Sequence, residues 1–191
     1  LNGHEHALSQ FQTSIEISAK GINLRNLALQ EGELSAHANG TIKGDLLRPR
    51  TLKPEVTYII KGPLHNWLEP SRLGYFVKLP KDKNIDGLLT LDGKMSGELA
   101  KIDQTFETGA VLTLEDAHFD GWNAKELKLK GFFKYPFLSL ESADVKFSDG
   151  GLRVGKTDFD LSKKDQRLKL DIEFDNMDLR KIVGPEIKSI Y

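Results

Sequence analysis

A chain of 191 residues has room for one generous domain or two small ones, and with 39% apolar residues it can bury a core. Its 27 Lys+Arg nearly cancel 28 Asp+Glu, which leaves no cationic surplus for a phosphate backbone and argues against nucleic-acid binding. With no Cys, disulfides, thiolate metal sites and cysteine nucleophiles are excluded, and no run approaches the ~18 apolar residues of a spanning helix.

The chain starts at Leu1 and reads as a piece cut or processed from a longer protein, with any signal or anchor outside it. Residues 1–10, with Asn2, Gly3 and His4, are expected to be a frayed tail, and residues 11–191 a single β-rich domain. Period two then takes over. Ile15, Ile17 and Ala19 form the first stripe, closed by a Lys20-Gly21 turn. Val56, Tyr58 and Ile60 form the next, after an Asn39-Gly40 turn signal. His37 lies on the polar parity between Ala36 and Ala38.

Residues 62–83 break the alternation. Three prolines (Pro63, Pro70, Pro80) surround Leu64, Trp67 and Leu68 at helical spacing, which predicts a short helix after Pro63 ending near Pro70. Trp67 is expected to anchor that helix on the sheet, with His65 on its solvated face.

Beyond it, Asp92-Gly93, Asp120-Gly121 and Asp149-Gly150-Gly151 punctuate further stripes. Phe106, Ala110, Leu112 and Leu114 make one. Leu127, Leu129, Phe133 and Tyr135 make another, opposed by Glu126, Lys128, Lys130 and Lys134. Leu138, Leu140, Val145 and Phe147 follow, then Leu168, Leu170, Ile172 and Phe174 against Lys169, Asp171 and Glu173. A second short helix is expected between Met177 and Ile190, interrupted at Gly184-Pro185. Short strands with frequent turns predict sequential hairpins. The fold class is mainly β: an elongated, curled antiparallel sheet, either a β-groove or an open sandwich, with one or two short helices.

Catalytic signatures are missing from the chain. No GxxxxGK[ST], GxGxxG, GxSxG or HExxH occurs, and Asp149-Gly150-Gly151 lacks the alternating oxygen ligands of a calcium loop. His4 and His6 sit in the expected tail, and His118 near Asp120 is a pair without a third partner. Asp158, Asp160, Asp165, Asp171, Asp175 and Asp178 are interleaved with Lys163, Lys164, Arg167 and Lys169, the pattern of a solvated face. No catalytic residue, metal ligand or cofactor is assigned.

From Ile85 onward the order of features resembles the AsmA-like family of bacterial envelope proteins. IDGLLTLDGKMSGEL (85–99) is similar to the family's Gly-x-Leu hairpin, and 106–183 follows its succession of short strands, with Met177-Asp178-Leu179 leading into a short helix. GELSAHANGTIKGDL (32–46) and GPLHNWLEPSRLGYF (62–76) match less tightly, as the preceding hairpin and helix. The resemblance implies a long curled sheet with an apolar groove between the inner and outer membranes. It also implies a non-enzymatic role in guiding phospholipid or fatty acyl chains, with the rest of the parent envelope protein as partner. At 191 residues this would be one section of such a groove, its cut edges expected to pair as edge-strand dimers in crystals.

The groove lining would then be Leu127, Leu129, Phe133, Leu138, Leu140, Val145, Phe147, Leu168, Leu170, Ile172 and Phe174. The same residues would equally make a filled core. In that case the chain would be a structural or adhesive β-sandwich of a cell-surface protein, or a glycan hydrolase using Trp67 or Trp122 as a platform.

Overall fold

A computed structural model describes residues 10–67, 85–119, 122–163 and 169–177. They form one antiparallel 11-stranded sheet, curled but not closed. The strands are β1 (Gln10–Ser18), β2 (Gly21–Glu31), β3 (Leu34–Lys43), β4 (Lys53–Pro63), β5 (Ile85–Ser96) and β6 (Glu107–Phe119). They continue with β7 (Trp122–Lys134), β8 (Phe137–Lys146), β9 (Gly151–Val154), β10 (Thr157–Asp160) and β11 (Ile172–Asp175). From β1 to β9 each strand pairs with the next, the meander of hairpins that alternation and turns predict. β9 and β10 share β8: the 151–154 stretch pairs its second half and 157–160 its first, and β11 then pairs β9.

Among the described residues two short α-helices interrupt the strands. α1 (Leu64–Trp67) follows Pro63 as expected, and its Trp67 is buried where it packs beside β4 and β5. α2 (Ile102–Thr105), continuing a 3-10 turn at Leu99–Lys101, was not anticipated by the pattern. The expected end of the first helix near Pro70, the Met177–Ile190 helix, the Asp120-Gly121 turn and the 1–9 part of the tail lie outside the described residues. Residue 10, assigned to that tail, opens β1.

Two turn signals are corrected. Asn39-Gly40 lies inside β3 and Asp92-Gly93 inside β5. The segment likened to a Gly-x-Leu hairpin is therefore one twelve-residue strand followed by a turn. The same holds for 32–46, where Leu34–Lys43 runs unbroken. These glycines answer a steric demand. A Cβ on Gly40 would meet the Glu55 carbonyl oxygen at 2.3 Å, and one on Gly93 would meet the Tyr58 hydroxyl at 2.6 Å. By contrast Gly21 (φ +138°) and Gly150 (φ +153°) do close turns, in a backbone region L side chains rarely adopt.

Candidate functional site: an apolar sheet face

Following the register from strand to strand places the apolar parity of every hairpin on one side of the sheet. One row runs Phe11, Leu29, Ala36, Ile60, Leu91, Leu112, Leu129, Ala143, Val154 and Ile172. The row beside it runs Leu34, Gly62, Leu89, Leu114, Leu127, Val145, Leu152 and Phe174. Ten strands at a spacing of about 4.8 Å carry such a row roughly 40 Å across the sheet. A third row is low, with Ala38, Tyr58, Gly93, Ala110 and Gly131 in register, flanked on its far side by Val56, Met95 and Phe133. The Tyr58 ring lies over Gly93 and its hydroxyl is 3.3 Å from Thr108 Oγ1, so this trough is bridged at its middle.

Bulges keep the rows in phase. Leu138 and Leu140 have even numbers and Ala143 and Val145 odd ones, yet all four share the face because one extra residue sits in β8 opposite Lys130/Gly131. A similar slip in β2 lets Leu24 and Leu27 do the same.

No large side chain among the described residues is fully enclosed. Leu89 and Ala143 are buried, most of the face in β4–β8 is half-buried, and Phe11, Ile15, Ile17, Ile172 and Phe174 at the two margins are exposed. Sheets normally cover an apolar face with a second layer. The described residues supply none beyond α1.

The reverse face is charged. Glu55 takes Lys94 at 2.7 Å and Lys43 at 3.6 Å, Glu107 takes Lys134 at 3.1 Å, and Glu126 takes Lys146 at 2.7 Å. The Lys94 hydrogen bond holds the Glu55 carboxyl below its ordinary range, and the Lys134 and Ser96 hydrogen bonds do so for Glu107.

Of the lining residues expected from sequence, Leu127, Leu129, Phe133, Leu138, Leu140 and Val145 stand together on the apolar face of β7 and β8. Ile172 and Phe174 join them through β9 but are exposed, so β11 is a margin and not a half-buried strand. Phe147 lies beyond β8, its N–H donating to the Gly150 carbonyl in the β8–β9 turn. Leu170 precedes β11 and is exposed, and Leu168 lies outside the described residues. The expectation omitted the face's other half, from Phe11 to Leu114. Its signal was the same alternation, visible at Ile15/Ile17 and Val56/Tyr58/Ile60.

The titratable groups are dispersed. His37 is exposed on the charged face. His65 Nδ1 lies 3.5 Å from Asp86, whose carboxyl is held low by the Gly87 N–H first and by His65 next. His118 Nδ1 lies 2.8 Å from the Asp116 carbonyl oxygen. In the acidic tract, Asp158 accepts from the Ser139 hydroxyl and sits 3.3 Å from Lys156. Among the described residues no three His, Asp or Glu side chains are grouped so as to hold a metal ion. Comparison with models of known families, with curated proteins and with solved structures gives no match.

Proposed function

We propose that this chain is a non-enzymatic section of an AsmA-like periplasmic β-groove protein that binds or guides lipid acyl chains, in outer-membrane biogenesis or lipid transport. The observation that supports this reading is the apolar face: one apolar row crosses ten strands and a second crosses eight, without a covering layer beyond α1 among the described residues. Contiguous apolar surface of this extent marks a place where something else binds. Acyl chains fit it because their burial is non-directional, about 0.8 kcal/mol per methylene, and so needs continuity more than fixed polar partners. Rows perpendicular to the strands would let a chain shift from one hairpin to the next past nearly equivalent contacts. A two-sheet adhesive module would need a second sheet, and the described residues form one.

Native mass spectrometry with organic extraction of the purified chain tests the proposal. Phospholipid or fatty acid should co-purify stoichiometrically. Leu129→Asp, which sets a charge in the longest row, should abolish retention while the far-UV circular dichroism stays that of a β-sheet. A clean apo mass with no uptake of a fluorescent acyl probe would overturn it.

A further inference from the structure

Among the described residues the two ends of the strands are unlike. One end carries the connections 19–20, 44–52, 97–106, 135–136 and 161–163, and the other carries 32–33, 64–67, 147–150 and 176–177. The first end holds the exposed Leu47, Leu99, Ile102, Tyr135 and Leu161. No large apolar side chain is exposed in the described connections of the second, where Trp67 is buried and Phe147 half-buried.

Charge divides the same way. Lys20, Arg48, Arg50, Lys101 and Lys163 stand in the first set of connections against Asp45, Glu98 and Asp103. Arg48 pairs with Asp45, Lys163 with Asp160 on β10 and Lys53 with Glu98, which leaves Lys20, Arg50 and Lys101 against Asp103. The described connections of the second end offer Glu33 and Asp149 and no Lys or Arg.

Leu47 is the extreme case at 92% exposure, in a hydrogen-bonded loop. Asp45 Oδ1 accepts the Leu47 N–H at 2.9 Å, and the Arg48 N–H reaches the Asp45 carbonyl at 2.9 Å. The Thr51 hydroxyl donates to the Arg48 carbonyl at 2.9 Å and accepts the Asp45 N–H at 3.1 Å. This loop is joined to the next, since the Leu99 N–H donates to the Leu52 carbonyl at 3.0 Å. Successive connections on one end are two strands apart, so Leu47, Leu99/Ile102 and Tyr135 stand about 10 Å from one another along the rim.

From these observations we infer that this rim docks on an anionic phospholipid surface, with Leu47 and Ile102 entering the interface and Lys20, Arg50 and Lys101 meeting lipid phosphates. Apolar tips flanked by cations are what an interfacial site requires: the cations draw the rim to negative headgroups, and the tips enter the acyl boundary. A protein partner would have to match apolar tips spread in a line, whereas a bilayer presents the same chemistry all along it. The site is separate from the apolar face, so it stands or falls without the acyl-chain reading.

Vesicle flotation of the whole chain decides it. The chain should float with phosphatidylglycerol/phosphatidylcholine vesicles, be released by high salt and stay behind with phosphatidylcholine alone. Leu47→Asp combined with Ile102→Asp should reduce bound protein by about tenfold or more, and Arg50→Glu with Lys101→Glu should weaken binding and flatten its salt dependence. Leu47→Asp by itself, at a side chain with almost no contacts to lose, should weaken binding while keeping the thermal transition, which guards against misfolding as the cause. These rim variants should keep acyl-probe uptake, and Leu129→Asp should keep flotation. Wild-type protein that fails to float, as a rim serving a protein partner would, overturns the inference. So do rim variants that float as well as wild type, or flotation lost only in Leu129→Asp.

Discussion

Leu89 in the middle of the sheet and Ile17 at its margin point to the same face, yet one is 4% exposed and the other 71%. Among the described residues neither lies under a second sheet. Leu89 has Gly62 on one side of its row, Leu114 on the other, and α1 nearby. Ile17 has Ile22 on one side and, among the described residues, no strand on the other. Burial here comes from neighbours on adjacent strands and, beside Leu89, from α1, so shelter fades as strands run out. That makes the middle a stable floor and the margins surfaces still seeking cover.

The sharpest way to break this contrast is to truncate both residues. Leu89→Ala should cost about 3 kcal/mol in equilibrium urea unfolding, because a closely surrounded leucine leaves a cavity when cut back. Ile17→Ala should cost about 0.5 kcal/mol or less, as most of its surface already meets water. Equal losses would mean that β1 is covered in solution, by another copy or another segment, and the margin would have to be redrawn.

Next in size is a substitution that adds volume to the middle. Gly93→Ala should cost about 2 kcal/mol, since its methyl group would collide with the Tyr58 ring and lie 3.0 Å from the Gly109 carbonyl oxygen. Removing the ring should relieve the collision, so Gly93→Ala with Tyr58→Ala should lose less than the sum of the single changes. Additive losses would show that Tyr58 does not rest on Gly93, and that the trough is open at its middle.

Gly93 also marks where the sequence was misread. An Asp-Gly pair between alternating stripes carries a turn's signature, and at Asp149-Gly150 it is one. At Gly93 the glycine makes room for an aromatic ring from the adjacent strand, a demand set by residues thirty-five positions away. Period-two patterning was legible because each side chain's environment depends on its own parity. The β2 and β8 bulges shift parity through cross-strand fit, and local sequence did not reveal them. The connections 44–52 and 97–106, with their exposed tips, were missed for a related reason: Leu47 and Ile102 look like core residues until the strand ends beside them are placed. The lining was recognised on β7 and β8 and not on β1–β6, because the pattern was strongest toward the C-terminal half.

The smallest effect lies behind the same strands, on the charged face. Glu55 on β4 is held below its ordinary value of 4.5 by its hydrogen bond to Lys94 on β5, then by the charges of Lys94 and Lys43. The Lys53 hydrogen bond does the same for Glu98, and Lys134 and Ser96 for Glu107. A carboxyl with a lower pKa in the folded chain than in the unfolded chain binds fewer protons when folded, so it adds stability above 4.5. That increment should be lost as pH falls from there through the lowered folded values. The pairs are well exposed and salt screens them, so the acid loss should be smaller than either truncation above, and smaller still at high ionic strength. Urea midpoints taken from neutral pH to below 4.5 should therefore slope downward in wild type and less steeply in Glu55→Gln. Leu89→Ala should run parallel to wild type at every pH, displaced to lower urea. If Leu89→Ala changed the slope as well, the two faces would be coupled through the strands, and the shelter of the floor would depend on the charges behind it.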